Sequence, residues 1–201
     1  MRSSMPKGNP GRPRGLTLIE LMVVIAVAGV LLTLAAPGFR DLILMQRLKG
    51  VNAQLVTDMQ FARAEAAARS QWVRVSFRSS PTTTCYTIYT SPTNATRCNC
   101  LEGIGNACAD PMREIRTVQV QTATGVRVNV LPDISNEFAF AFDHITGAIS
   151  SIPADRPSAP IPPFRIQTSI DAERVLRTVV GRAGRVTVCA PASASVGAPP
   201  C

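Results

Sequence analysis

The chain has 201 residues, of which 46% are hydrophobic, and its formal net charge is +8. Four of the cations lie in the first 15 residues, and the rest of the chain carries 17 basic and 13 acidic side chains. This mild excess excludes a strongly polybasic protein, so bulk charge alone does not argue for a nucleic-acid partner. The roughly 160 residues that follow the N-terminal segments are enough for one domain with a hydrophobic core.

Residues 1–15 are polar and basic, and an apolar run follows from Gly15 to Pro37. About twenty apolar residues at ~1.5 Å per residue cover the ~30 Å hydrocarbon core of a bilayer, so we expect a transmembrane helix over 16–37. The basic flank predicts a cytoplasmic N-terminus. An ordinary secretory signal is cut after its apolar region, whereas here the small-residue junction precedes it.

Glu20 is the single charged residue of this apolar run. A carboxylate there raises the cost of membrane insertion by roughly a few kcal/mol, which marks it as a candidate functional residue. If the chain is cut between Gly15 and Leu16, the new α-amino group of Leu16 lies one helical turn from Glu20. The amine could then neutralise the carboxylate, either within one chain or between neighbouring subunits.

The basic leader ending in Gly15, the sequence Leu16-Thr17-Leu18-Ile19-Glu20 and the hydrophobic helix behind it resemble a type IV pilin-like protein. The resemblance implies that a prepilin peptidase cleaves after Gly15, removes the leader and methylates the new N-terminus at Leu16. It also implies that Glu20 guides assembly into a filament.

The implied partners are other pilins or pseudopilins, which the chain contacts through its N-terminal helix, and the assembly platform of the bacterial inner membrane. The alternative is a plain single-span anchor whose leader stays attached.

Beyond Pro37 a helical period continues, with apolar residues three or four positions apart. They form one stripe: Leu44, Leu48, Val51, Leu55, Met59, Ala62 and Ala66. Polar residues, among them Asp58, fall between them. We therefore expect an amphipathic helix over 38–70 that continues the first helix and packs beneath a β-sheet.

From residue 71 the hydrophobic period changes to two, which is typical of strands. Three aromatic rings on one side of a strand come from Phe138, Phe140 and Phe142, and Trp72 is expected in the core or between helix and sheet. Other predicted strands lie at 72–77, 85–89, 118–120, 126–130, 164–168, 174–180 and 185–189. We expect an α+β fold, pilin-like in shape, in which the long helix packs on one antiparallel sheet. The sheet occupies residues 71–189, and a tail of little structure, 190–201, follows it.

Six cysteines on a chain whose bulk lies outside the inner membrane suggest the oxidising periplasm and disulfides. They form two groups: Cys85, Cys98, Cys100 and Cys108 in the first, Cys189 and Cys201 in the second. We expect the bridge Cys189–Cys201 and two bridges within the first group. A zinc site on the C-x-C pair and Cys108 is the alternative, but the spacing is unusual and no histidine is near.

Two segments of the C-terminal third are similar to the GspH/FimT branch of minor pilins and pseudopilins. They are Phe142-Asp143 with Thr146-Gly147, and the last strand, which begins at Gly184-Arg185 and ends at Cys189. The branch implies a minor subunit of a type II secretion pseudopilus or of a type IV pilus, at or near the tip. Some members of the FimT type bind DNA during uptake through a C-terminal Gly-Arg-x-Arg motif. Here Thr187 replaces the second arginine of that motif, and Arg182 could supply a displaced cation.

Arg182 and Arg185 are therefore candidate DNA-binding residues. Gly181 and Gly184 would leave backbone N–H groups open beside them, so the turn could bind phosphate. Together with Arg174 and Arg177 they would give a salt dependence with a log–log slope of about −3 to −4. The alternative is a solvated hairpin turn whose glycines serve its backbone geometry.

The sequence offers no constellation for catalysis. His144 is the single histidine, and without a paired nucleophile it is expected in a turn. We expect no enzymatic activity, no cofactor and no metal.

Overall fold

The computed structural model describes residues 17–92, 97–131, 137–151 and 163–201. The chain divides into two compact units, Met1–Asp41 and Leu42–Cys201. We call them the N-terminal unit and the C-terminal unit. The predicted leader and the junction between Gly15 and Leu16 lie outside the described residues.

A single long helix, α1, spans Leu18–Arg69. In the N-terminal unit its large apolar side chains are exposed from Leu18 to Leu32. Among the described residues, no single helix meets the length and hydropathy requirements of a membrane span, although Leu18–Thr33 and Gly38–Arg69 meet them together.

In the C-terminal unit, α1 buries one stripe of side chains, as its periodicity predicts. The fully buried apolar members are Leu48, Leu55, Met59, Ala62 and Ala66. The prediction that Asp58 lies on the polar side of the helix is wrong, because this carboxylate is 1% exposed. Asn52 is buried as well.

In the part of the chain that the structure describes, nine strands follow the helix, and every pair of these strands is antiparallel, so the α+β class is confirmed. The first sheet, sheet A, has the order β3-β2-β1-β5-β6. Its strands are β1 (Val73–Ser79), β2 (Thr83–Thr90), β3 (Arg113–Gln121), β5 (Glu137–Phe142) and β6 (Ile149–Ser151). Sheet B has the order β4-β7-β8-β9. Its strands are β4 (Arg127–Leu131), β7 (Phe164–Ser169), β8 (Val175–Val180) and β9 (Val186–Cys189).

The single predicted sheet is therefore two sheets. Hydrophobic alternation locates strands, but it does not reveal which strands pair when the partners lie far apart in sequence. β1, for example, pairs with β5 at the register Val75↔Phe140. Both sheets contribute to one core with the helix. Phe140 of sheet A stacks on Phe164 of sheet B, with their ring centroids 4.8 Å apart.

Two buried polar side chains join α1 to the two sheets. Asp58 accepts hydrogen bonds from the Tyr86 hydroxyl of sheet A at 2.8 Å and from the Arg116 guanidinium. Asn52 Oδ1 accepts from the hydroxyls of Thr168 and Thr178 of sheet B, at 3.3 and 2.9 Å. Each contact satisfies polar groups that would otherwise be buried without partners.

The structure forms three disulfides, Cys85–Cys100, Cys98–Cys108 and Cys189–Cys201. This is the grouping that the spacing predicts. The loop closed by the first two lies over the face of sheet A that points away from the helix. The Cys98 carbonyl accepts from Ser76 Oγ at 3.0 Å, and the Cys100 carbonyl accepts from Gln119 Nε2 at 2.7 Å.

The C-terminal tail is more ordered than its composition predicts. Val196 is 4% exposed and belongs to the main core. The backbone N–H of Ala190 donates to Pro199 at 2.8 Å, and that of Cys201 donates to Ala190 at 2.9 Å. The bridge between Cys189 and Cys201 closes this loop, so a short core contact and one disulfide replace regular secondary structure.

Candidate functional site

The first turn of α1 contains Glu20, the predicted assembly residue. Thr17 Oγ1 accepts a hydrogen bond from the backbone N–H of Glu20 at 3.3 Å, and the Thr17 carbonyl accepts from Leu21 at 3.2 Å. Thr17 thus caps the helix, and Glu20 occupies the third helical position, where a carboxylate also interacts favourably with the helix dipole. The position of Glu20 in the first helical turn therefore favours a carboxylate for a local reason that the apolar pattern did not reveal.

The surroundings of Glu20 are apolar and exposed. Leu18 is 73% exposed, Ile19 66% and Leu32 70%, and the large apolar side chains between them are exposed to a similar degree. An apolar surface of this extent needs lipid or other helices as its neighbours. Gly15 and Leu16, the predicted processing residues, lie outside the described residues.

The second candidate site is the hairpin turn between β8 and β9, which contains Arg182 and Arg185. Both arginines are exposed. The prediction that the two glycines leave backbone N–H groups open is wrong. Gly181 donates its N–H to the Arg185 carbonyl at 2.8 Å, and Gly184 donates to the Gly181 carbonyl at 2.8 Å. The turn closes on itself, so an anion would have to be held by side chains.

Position 184 requires a glycine. Its φ is +72°, and a Cβ built there would lie 2.0 Å from the carbonyl oxygen of Gly147 and 3.1 Å from Arg63 Nε. The hairpin turn therefore rests against the turn between β5 and β6. The backbone N–H of Ile149 also donates to the Arg182 carbonyl at 2.9 Å.

Arg63 lies beside this contact between the two turns. The sequence did not indicate Arg63 as a site residue. A groove of about 660 Å³ runs between α1 and the two turns, and Arg63 and Arg185 both line it. Arg63 is exposed on the helix, more than a hundred residues away in sequence. Helical periodicity marks it only as a polar position and gives no signal of its neighbours.

Arg174 and Arg177 do not join this cluster. Arg174 precedes β8, at the end opposite the turn, where its Nε donates to Asp171 at 2.8 Å. Arg177 lies within β8 and pairs in register with Cys189. The four C-terminal arginines thus do not present one surface, and the predicted slope for four phosphate contacts is too steep for this turn.

The β5–β6 turn is fixed by Asp143. Its carboxylate accepts from the Ile145 N–H at 3.0 Å and from the Thr146 hydroxyl at 2.8 Å, and these hydrogen bonds hold the pKa of Asp143 below its usual range. His144 lies in this turn, as predicted. Its ring meets the edge of Trp72, which is 40% exposed and not in the core as expected.

The zinc alternative fails for the cysteines, because all six are in disulfides. Among the described residues, no group of three or more histidine, cysteine, aspartate or glutamate side chains could hold a metal ion.

In the comparison with known proteins, one segment of the chain matches a known family motif. Residues 11–36 match the prokaryotic N-terminal methylation motif, the prepilin signal of type IV pilin-like proteins. No curated protein and no solved structure matches the chain. The motif supports a subunit like those of type IV pili and pseudopili, processed by a prepilin peptidase and assembled with other pilins. Proteins that carry this motif are structural rather than enzymatic.

Proposed function

We propose that this chain is a minor pilin or pseudopilin of the GspH/FimT branch. It assembles through its N-terminal helix into a type II secretion pseudopilus or a type IV pilus, at or near the tip. The observation that carries the proposal is the methylation motif over residues 11–36, which includes the start of α1, where the large apolar side chains are exposed. Such a helix is stable only when lipid or neighbouring helices cover it.

In this proposal the mature chain begins at Leu16, and residues 16–37 anchor it in the inner membrane before assembly. The basic leader keeps the N-terminus cytoplasmic until cleavage after Gly15, and the C-terminal unit lies in the periplasm. Three disulfides favour that compartment, because disulfides persist in oxidising surroundings. Glu20 pairs with the α-amino group of Leu16, on the same or on a neighbouring subunit.

The test is the change Glu20→Ala, made in the full chain and expressed with the prepilin peptidase and the other filament subunits. We expect cleavage after Gly15, detected by N-terminal sequencing, but loss of the subunit from the sheared filament fraction. Normal incorporation of Glu20→Ala would contradict the role in assembly. A mature chain that keeps residues 1–15 would contradict the pilin assignment itself and favour a plain membrane anchor.

Two controls separate assembly from helix stability. Thr17→Ala removes the helix cap, worth about 1 kcal/mol, but keeps the Glu20 carboxylate. We expect it to be incorporated. Glu65→Ala removes a carboxylate from the same helix within the C-terminal unit, where it pairs with Arg69, and we expect no effect on incorporation. If Thr17→Ala is lost from filaments as fully as Glu20→Ala, the stability of the first helical turn, and not a charge pair of the Glu20 carboxylate, decides incorporation.

A second candidate function is DNA capture by the β8–β9 turn. It is favoured by the exposure of Arg182 and Arg185 and by the approach of Arg63 to the same groove. Because the turn's glycine N–H groups are already used, binding would depend on guanidinium contacts to phosphate. Up to three such contacts predict a log–log salt slope of about −2 to −3.

The test is binding of labelled duplex DNA to the full chain, purified in a non-ionic detergent, at several salt concentrations. Arg182→Ala with Arg185→Ala should remove binding. The matched control is Arg113→Ala with Arg127→Ala, which removes the same charge from exposed strand positions. Equal losses in both double variants would mean that only net charge matters, and DNA capture by this turn would be excluded.

A further inference from the structure

Sheet B carries arginines on one of its two faces. Its four strands contain no acidic residue and three arginines, Arg127, Arg165 and Arg177. Their neighbours along the strands, such as Val128, Ile166 and Thr178, are buried toward the helix. Because side chains alternate along a strand, all three arginines lie on the opposite face, which we call the outer face of sheet B.

Two of these arginines lie close together. Arg165 pairs in register with Val179, and Arg177 is two residues from Val179 on the same strand. Such diagonal neighbours on one face are about 7–8 Å apart, near enough for two cations to repel. Among the described residues, neither arginine has a carboxylate partner, and the buried Nε of Arg177 has no hydrogen-bond acceptor.

Both side chains line a cleft of about 520 Å³. Its other lining residues are largely apolar, and they include Pro163, Val179, Pro199 and the disulfide of Cys189 and Cys201. The backbone hydrogen bonds of the C-terminal tail, together with that disulfide, fix the wall formed by Pro199. The cleft is therefore a preformed pocket in which two forked cationic donors lie beside proline, valine and disulfide walls.

We propose that this cleft binds an acidic side chain, glutamate or aspartate, on an extended segment of a partner protein. The guanidinium fork matches a carboxylate in shape and charge, and apolar walls strengthen the attraction by lowering the local dielectric. Nucleic acid fits the site less well. A duplex reaches exposed cations such as Arg182 and Arg185, whereas Arg177 is half-buried in the cleft beside a proline wall. The inference is independent of filament assembly and of DNA capture.

The test uses the full chain, purified in a non-ionic detergent, and a dye-labelled hexaglutamate peptide as the probe. Fluorescence anisotropy should show saturable binding that weakens with salt, and a hexaglutamine peptide should not bind. Arg165→Gln with Arg177→Gln should lower the affinity for hexaglutamate at least about tenfold, because it removes two charge-assisted contacts. Arg177→Lys should lose part of the affinity, since it keeps the charge but not the fork.

The matched control is Arg127→Gln, which removes a cation from the same face outside the cleft. It should change the affinity less than about twofold, and thermal unfolding should show that all variants remain folded. No binding of hexaglutamate by the wild-type chain, or equal loss in Arg127→Gln and the cleft variants, overturns the proposal. Duplex DNA that displaces the peptide, and that itself requires Arg165 and Arg177, also overturns it in favour of a nucleic-acid face.

Discussion

Gly184 shows how one residue fixes the arginine turn, because it meets two demands at once. Its backbone is left-handed, with φ of +72°, and its Cα touches the backbone of Gly147. Gly197 has nearly the same φ, +71°, but open space where a Cβ would stand. Alanine substitutions at the two glycines therefore distinguish the cost of a left-handed backbone, present at both, from the cost of a steric clash, present only at Gly184.

We expect Gly184→Ala to lower the free energy of unfolding by about 2–4 kcal/mol, and Gly197→Ala by only about 1 kcal/mol. Chemical denaturation of the two variants measures both values. Equal losses would show that the two turns do not touch, and the groove beside Arg63 would then lose its structural basis.

Asp58 is the other residue for which the surrounding side chains determine how strongly a substitution should destabilise the fold. Burial raises the pKa of Tyr86, and its hydrogen bond to Asp58 raises it further, so the hydroxyl stays protonated as a donor at physiological pH. Asp58→Ala leaves this hydroxyl and the Arg116 guanidinium without their acceptor, so we expect a loss of about 2–4 kcal/mol in unfolding free energy.

Tyr86→Phe, which removes only one donor, should cost about 1 kcal/mol. Urea denaturation of both variants provides the comparison. A loss below about 0.5 kcal/mol for Asp58→Ala would place this carboxylate among ordinary surface ion pairs.

At the scale of elements, the sequence predicts the long helix and most strands, because their periods of 3.6 and two extend over enough residues to be recognised. β6 was not predicted, since Ile149–Ser151 is too short to show alternation. The burial of Asn52 and Asp58 was also missed. Their side chains are polar, and only partners in distant strands, such as Tyr86 and Thr178, make burial favourable.

The C-terminal tail gives a prediction at the same scale. Replacing Cys189 and Cys201 with alanine opens a short loop, which should lower the free energy of unfolding by about 2–3 kcal/mol. Hydrogen exchange of residues 191–200 should rise strongly at the same time. Val196→Ala, which keeps the bridge but removes a core contact, should destabilise without opening the tail. Similar exchange in the two variants would show that Val196, and not the disulfide, holds the tail.

At the scale of the whole molecule, the methylation motif could be identified from sequence, whereas the surroundings of the arginines could not. The motif is local, because it lies entirely within residues 11–36. The arginine groove joins α1, the β5–β6 turn and the β8–β9 turn, which meet only after folding. The cleft at Arg165 and Arg177 could not be predicted from the sequence either, because its lining residues also meet only after folding.

The division into two units gives a further prediction. The apolar core begins at Leu48, so removal of residues 1–41 should leave the thermal unfolding midpoint within about 2 °C of the full chain in detergent. Removal of residues 1–50 also deletes Leu48, which is fully buried, and should lower the midpoint by roughly 10 °C or more. A large effect of the shorter truncation would show that the N-terminal unit contributes to folding of the C-terminal unit.

The two buried polar side chains of α1 described above, Asn52 and Asp58, also have a mechanical consequence. Asn52 joins the helix to sheet B and Asp58 joins it to sheet A, within two turns of each other. A helix held by apolar contacts alone can slide or rotate by small steps, whereas displacement here breaks buried hydrogen bonds in both sheets together. A tension applied along α1 should therefore act on both sheets at once.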